Sequence, residues 1–370
     1  MRNVGHLWKS YASRGGRFHT RQFLSRRIAF NNVSTNPHLP ALCHSRHFRY
    51  SRSWQAGGAF LMSLSLFDFW QNKEKATSED RLKRLVYEAK KAQKDGDLLK
   101  SEKFYHEALN LIKQRHQEKE IDDDDHLQAR TYIFDCLANL AFSQREFNKA
   151  ERLYKETIKG CVQAGMHHTG NVIIEISLKL ANIYAIQNRP EEAVTGFEFC
   201  INAQKEKSES SEEEFDKDTE ALLGMSLDSY GRYLLHLGNY NKAEEMLKDS
   251  YKIALKCLGE NHRQTLVIMI NLAVAKIFKK DYSVAEDLLL KAIKVGTEID
   301  AEELPALYCN LGAIYLARQQ MTEAYDACVK AMEMAKQYKD NFAVKKAKIC
   351  LDKVTGSHKE KLKATEQKKS

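Results

Sequence analysis

Proline is scarce in this chain, with four residues in 370, at Pro37, Pro40, Pro190 and Pro305. Two of them fall in the first 60 residues, so the long remainder holds only two residues able to break a helix from within. Strand patterning is missing as well. β-Branched residues nowhere alternate with polar ones over a useful length, whereas Ala, Leu, Glu and Lys recur at helical spacing. The body is therefore expected to be all-α, with an ordinary apolar share of 43% from which to build a core.

The signatures of catalysis are also missing: no H-E-x-x-H, no G-x-S-x-G, no G-x-x-x-x-G-K-[ST] and no G-x-G-x-x-G. Eight cysteines, at 43, 136, 161, 200, 257, 309, 328 and 350, contain no C-x-x-C and no matching His pair. Neither a zinc site nor a redox pair is expected, and most of them occupy apolar helical positions as small hydrophobes. The one His doublet, His167-His168, sits between glycines with no carboxylate or Cys at ligand spacing, and reads as an exposed loop. No catalytic, metal or cofactor-binding residue is assigned, and the expectation is a protein that is not an enzyme.

Acidic residues are absent from the first 60 positions, which carry ten Lys/Arg; the rest of the chain sets 48 basic residues against all 50 acidic ones. The net charge of +8 thus belongs to the N-terminal segment, and no nucleic-acid footprint is expected on the folded part. Within that segment Arg14, Arg17, Arg21 and Arg26-Arg27 recur about one helical turn apart, with Trp8, Phe18, Phe23 and Leu24 between them. An acid-free, Ser-rich, basic amphipathic stretch is the pattern of a mitochondrial transit peptide, and residues 1–55 are assigned to one. A longer apolar run is lacking too. Residues 56–70 form a 15-residue stretch broken only by Asp68, short of the ~20 residues of a spanning helix, and inner-membrane contact is the favoured reading.

What the body does contain is self-similarity. The segment LDSYGRYLLHLGNYNKAEEMLKDSYKIA places Gly231 at a tight helix contact, Gly238-Asn239-Tyr240 at a turn, Ala243 at a helix crossing and Ser250 beyond it. The same pattern fits five more times, anchored on Ala89, Ala138, Ala181, Ala273 and Gly312. Small residues where two helices touch and large ones toward the next unit define the tetratricopeptide pair. The fold expected over 80–355 is an all-α tetratricopeptide-repeat solenoid of about six helix pairs. A capping helix near AVKKAKICLDKV closes it, and a disordered basic tail occupies 356–370. Anchor spacings of 39 to 50 exceed the usual 34, so either the helices are longer or the linkers carry inserts, and solvated inserts are expected at Asp122–Asp125, around His167 and at Glu212–Glu214.

In such an array the first helices line an inner face. The positions after the anchors place Lys90, Asn139, Asn182 and Arg232 there, where amides and cations can meet an extended peptide. Farther on, Phe278 and Leu316 belong to an apolar stripe able to seat a partner helix, or to meet the cap. The positions four residues earlier hold Val86, Asp135, Leu178 and Asp228 rather than Lys, which argues against the carboxylate clamp of chaperone-binding members.

The run from Tyr230 to Ala275 resembles the long-repeat tetratricopeptide class shared with kinesin light chains. More closely, 80–350 resembles the tetratricopeptide repeat protein nineteen family of the mitochondrial inner membrane. It departs at Arg263, where a G-E-x-H-P-Q-T turn would have Pro. That resemblance implies a factor for assembly and maintenance of respiratory complex III (cytochrome bc1). Such a factor would bind complex III subunits, including the Rieske iron–sulfur protein, and promote clearance of Rieske fragments. It supplies no ligand or catalytic residues. The alternative is a cytosolic cargo or scaffold adaptor of the kinesin light chain kind, against which stands the lack of sustained heptads over 71–100.

Overall fold

The computed structural model describes residues 81–210 and 217–367. The transit-peptide segment, the 56–70 stretch and Glu212–Glu214 lie outside the described residues. The chain divides into two compact units at Leu222. The first comprises α1 (Arg81–Lys94), α2 (Leu98–Gln117), α3 (Asp123–Ser143), α4 (Phe147–Gln163), α5 (Asn171–Ile186), α6 (Pro190–Ser210) and the start of α7 (Lys217–His236). The second comprises the rest of α7, α8 (Tyr240–Leu258), α9 (Arg263–Phe278), α10 (Tyr282–Glu298), α11 (Leu304–Ala317), α12 (Met321–Gln337) and α13 (Asn341–Gln367). All thirteen elements among the described residues are helices. They form a tetratricopeptide-repeat array of six helix pairs closed by a C-terminal cap.

One spacing rule generates every pair. Nine residues after the small anchor the second helix begins: Ala89 leads to Leu98, Ala138 to Phe147, Ala181 to Pro190, Gly231 to Tyr240, Ala273 to Tyr282 and Gly312 to Met321. Twelve residues after the anchor stand Ser101, Ala150, Ala193, Ala243, Ala285 and Ala324, each 0% exposed. Small meets small at the crossing, so the two backbones come into contact. At Gly231 even a methyl group would lie 2.7 Å from Leu247 Cγ. Sixteen residues after the anchor Tyr105, Tyr154, Phe197, Leu247, Leu289 and Cys328 fill the space that the small residues leave.

The turns repeat as strictly. Seven residues after each anchor the backbone enters the left-handed region, at Gly96, Arg145, Asn188, Gly238, Lys280 and Gln319. The next N–H then donates back five residues, Asp97 to the Ala92 carbonyl, Glu146 to Ala141, Arg189 to Tyr184, Asn239 to Leu234, Asp281 to Lys276 and Gln320 to Tyr315. This closing bond satisfies helix-end carbonyls and aims the chain into the second helix within two residues. Only Gly96 and Gly238 adopt that conformation freely; the side chains at Arg145, Lys280 and Gln319 strain it.

Three expectations are corrected. The acidic run Asp122–Asp125 is no loop insert: Asp122 caps α3, accepting from Asp125 N at 2.7 Å, and Asp123, Asp124 and Asp125 form the helix's first turn. Carboxylates there meet the positive end of the helix dipole. Of the two sources expected for the wide anchor spacing, long helices are present, 20 residues in α2 and 21 in α3 and α6. The segment assigned to a disordered tail from 356 is helical to Gln367, because α13 runs on. Finally, Cys328 and Cys350 are not merely small hydrophobes but a disulfide, joining α12 to α13 with a Cα–Cα separation of 5.8 Å. Their 22-residue separation hides the pairing from any short-spacing motif. Pro190 and Pro305 do open helices, as expected.

Relieving the turn strain has a measurable outcome. Replacing Arg145, Lys280 or Gln319 by Gly should each stabilise the chain by up to about 1 kcal/mol, and Gly238→Ala should destabilise it by a similar amount, read as opposite shifts of the urea midpoint.

Candidate functional site on the inner helices

In the first unit the helices that open each pair, α1, α3 and α5, share a polar seam. Its hub is Asn139 on α3, half-buried, whose amide donates to Asp135 Oδ2 at 2.9 Å. Asn139 Oδ1 accepts from Tyr154 Oη at 2.8 Å and from Lys179 Nζ at 2.9 Å. Lys179, on α5, is 3% exposed. Its ammonium also lies 3.0 Å from Glu175, 3.8 Å from Asp135 and 5.3 Å from the centre of the Tyr154 ring. Lys90 on α1 lies 5.5 Å from the centre of the Tyr132 ring, and its charge acts on Asp135. The seam therefore brings Lys90 and Asn139 together through Asp135.

Burial sets the protonation chemistry of this seam. It pushes the Asp135 carboxyl above its ordinary range against the pull of Lys179, and the Cys136 thiol up to about 12. Burial likewise raises Glu175 to about 7, Lys179 opposing and the Asp135 charge adding to the rise. One ammonium thus stands between two carboxyls in a region with little water, where a second negative charge costs most.

Asn182 corrects the expectation of four equivalent groove residues. It is 0% exposed, and its amide donates to the Leu178 carbonyl of its own helix at 2.8 Å, so it presents nothing to a peptide. Asp135, Glu175, Lys179 and Tyr154 were missed as site residues. The signal for Glu175 and Lys179 was two charges four apart within the apolar run IIEISLKLAN.

In the second unit Arg232 is half-buried, with Nε 3.1 Å from Asp228 Oδ2, and Asn271 donates to the other oxygen of Asp228 at 3.3 Å. Phe278 stacks on Tyr240, with ring centres 4.6 Å apart and planes 1° apart. Leu316 is 8% exposed and packs with Cys328, Cys350 and Val354. It faces the cap, which removes it from the open stripe expected with Phe278. Glu244 gathers Lys248, Lys276 and Lys279 and ties α8 to α9; hydrogen bonds from these ammonium groups outweigh burial and hold its carboxyl at about 2. Arg263 forks to Glu302 and Glu303, both at 2.9 Å, linking the start of α9 to the start of α11. The family-divergent residue is thus an ionic tie between successive pairs.

Among the described residues no group of three or more His, Cys, Asp or Glu is placed to hold a metal. No helix among them is long and apolar enough to cross a membrane. The His167 and His168 rings lie 4.2 Å apart and tilted by 38° in the connection between α4 and α5, and His167 Nδ1 lies 2.8 Å from the Thr169 hydroxyl.

Comparison with known proteins follows the same lines. A family model described as tetratricopeptide repeat matches residues 222–298, which is α7 to α10. The mitochondrial tetratricopeptide repeat protein 19 of rat is 36% identical over 251 residues, covering 66% of this chain and 66% of the rat protein. The human protein is 36% identical over 252 residues, covering 66% of this chain and 64% of its own length. The mitochondrial homologue from Drosophila melanogaster is 29% identical over 306 residues, 81% of this chain and 78% of the fly protein. The chain thus spans about two thirds of the mammalian relatives. Among solved structures, BtubC from P. vanneervenii aligns with a TM-score of 0.52 at 17% identity, covering 71% of this chain and 94% of BtubC. Aspartyl phosphate phosphatase F from Bacillus subtilis aligns with a TM-score of 0.53 at 15% identity, covering 79% and 84%. At such identities the likeness is one of fold.

Two outcomes test the site. A carboxyl whose pKa rises from 4.5 unfolded to about 7 folded contributes stability below pH 4.5 that is lost as pH climbs through 7. Between pH 5 and 8 the thermal midpoint of Glu175→Gln should therefore gain on the wild type, and a constant difference would contradict the buried-carboxyl account. Arg263→Ala should lower the midpoint in dilute buffer by the equivalent of about 1 kcal/mol or less, a loss that 1 M NaCl removes, as suits a part-exposed ion pair.

Proposed function

Because this chain belongs to the tetratricopeptide repeat protein 19 family, whose rat, human and fly members bear names that place them in mitochondria, we propose that it is a mitochondrial protein-binding scaffold that acts in the assembly and maintenance of respiratory complex III. In this reading it is not an enzyme. It associates with the inner membrane, binds complex III subunits including the Rieske iron–sulfur protein, and promotes removal of Rieske fragments. The observation that carries the proposal is the family relationship over a repeat body whose six anchors and crossings recur without exception.

The repeat architecture supports a binding role on physical grounds. Each pair devotes its small residues to internal contacts and has its polar inner helices held by neighbours, so the chain offers extended surface in place of a convergent pocket. Groups such as Lys90, Asn139, Arg232 and Phe278 remain half-exposed on their helices. We assign peptide contact to these four, with Asn182 and Leu316 serving packing.

The test has two stages. Imported into isolated mitochondria, the chain should enter in a potential-dependent way, lose a leader near 1–55 and comigrate with the bc1 dimer on blue-native gels. In cells lacking the native factor it should restore complex III activity and clear Rieske fragments, and the combined Lys90→Ala and Arg232→Ala variant should lose at least half of that rescue at equal abundance. Full-length chain left outside the organelle would point to the cytosolic adaptor class instead, and import without rescue would refute the complex III role.

A further inference from the structure

One face of the opening helix is buried in every pair except the first. Five residues before the anchor the later pairs hold Ile133, Ile176, Ser226, Ile268 and Leu307, all buried. Two residues after it they hold Leu140, Ile183, Tyr233, Ala275 and Ile314, buried as well. In the last pair this face meets the pair before it, since Leu307 and Ile314 share a cluster with Leu289 and Ala292 of α10. In α1 the same two positions hold Arg84 and Lys91, both exposed. No earlier helix among the described residues covers them, and cations there refuse the apolar contact by which one pair seats another.

The end of a repeat array needs a polar outer face for solubility alone, but charges of either sign meet that need. Here the sign is single. The exposed charged side chains of α1 and α2 are all Lys or Arg, while Glu88, Glu102 and Glu107 are half-buried. The turn between the helices adds Asp95 and Asp97, and Asp97 is engaged in capping α2. Residues 81–117 carry ten Lys/Arg against five Asp/Glu, whereas 118–370 carry 36 against 41. Solubility also leaves the apolar groups unexplained. Tyr87 stands on the α1 stripe between Arg84 and Lys91 and is 64% exposed; Leu99, next to Lys100 at the start of α2, is 80% exposed.

We propose that the open stripe of the first pair, Arg84, Tyr87, Lys91 and Lys94, docks together with Leu99 and Lys100 on the surface of an anionic phospholipid bilayer. Lys94 and Leu99 flank the turn, so the end of the stripe and the exposed Leu lie at one end of the pair. The cations reach lipid phosphates while Tyr87 and Leu99 enter the headgroup boundary, the depth that suits an aromatic ring and an aliphatic side chain set among lysines. A nucleic acid would use the charge and the ring but leave Leu99 in water. Proximity comes from the chain itself. The apolar stretch 56–70 ends ten residues before α1, and ten residues span at most about 35 Å, so membrane contact by that stretch holds the first pair near the same surface. The docking surface thus rests on the inner-membrane association proposed above and names the face that meets the lipid.

The experiment footprints lysines on the full chain by brief acetylation and mass spectrometry. Phosphatidylcholine vesicles containing cardiolipin should slow the reaction of Lys91, Lys94 and Lys100 by about fivefold, with the exposed Lys252 and Lys336 unchanged and inorganic phosphate giving no protection. In the Arg84→Gln, Lys91→Gln variant the lipid concentration that half-protects Lys94 and Lys100 should rise about fivefold per cation removed. Attachment through the leader or 56–70 alone would leave these lysines as reactive as without lipid, which would overturn the docking surface while import and complex III rescue still succeed. An unchanged midpoint in the variant or equal protection by cardiolipin-free vesicles would overturn it too. So would protection that grows with chain concentration in the absence of lipid, the mark of a second copy, or protection by RNA and not by vesicles. The wild-type footprint decides even if the variant does not fold.

Discussion

Two helices joined by a three-residue turn lie flush only if both carry small side chains where they cross, and everything else in this chain depends on that contact. The crossing is met six times by Ala, Gly or Ser on both partners, and with one exception-free interval between them. Once the crossing is set, the turn must bend at the same place each time, and it does so even where the residue is Arg, Lys or Gln. The backbone tolerates local strain there because the contact on either side fixes the path. The side chains sixteen residues after each anchor, aromatic or Leu in five pairs and Cys328 in the sixth, then have one place to go, beneath the pair.

This hierarchy explains which features were legible in the sequence. The small anchors carry the whole fold in residue identity, so Ala89 through Gly312 could be read directly, and the helix pairs with them. The left-handed turns could be read only at Gly96 and Gly238, since Arg145 or Lys280 gives no local sign of a conformation that tertiary contact imposes. The acidic run at Asp122 has the composition of a solvated loop and the position of a helix start, and composition misleads where position decides. The disulfide joins residues that the cap brings together, a relation that no short motif encodes.

The inner face was legible in its location and not in its chemistry. The interval from the anchor put Lys90, Asn139, Asn182 and Arg232 on comparable positions, but exposure depends on what each neighbouring helix contributes. Asn182 turns inward to its own backbone, whereas Asn139 becomes a hub because Lys179 reaches it from the next pair, 40 residues away. A buried lysine between two carboxyls is a poor source of stability, since desolvation offsets most of the attraction. What it supplies is selectivity of packing. Only when α5 docks on α3 with one rotation and one height does Lys179 reach Asn139 and Glu175 together, so a slipped arrangement leaves a charge unpaired.

Charge also joins successive pairs in the second unit, through the buried Glu244 with Lys276 and Lys279 and, nearer the surface, through Arg263 with Glu302 and Glu303. The array thus uses one backbone plan with two kinds of glue, a desolvated seam such as that around Lys179 and part-exposed ion pairs, which in the first unit include Lys149 with Glu102 and Arg189 with Glu151. Salt screens the second kind and hardly touches the first. An array made of nearest-neighbour contacts fails at its weakest junction, so the order in which its pairs separate is set by conditions as much as by sequence. High salt loosens the pairs around α9, while rising pH loosens α3 from α5. The end of such an array is its other weak point, since a terminal pair has a neighbour on one side only. Here the open side is covered by α13, which packs on both α11 and α12 and is also tied to α12 by a disulfide.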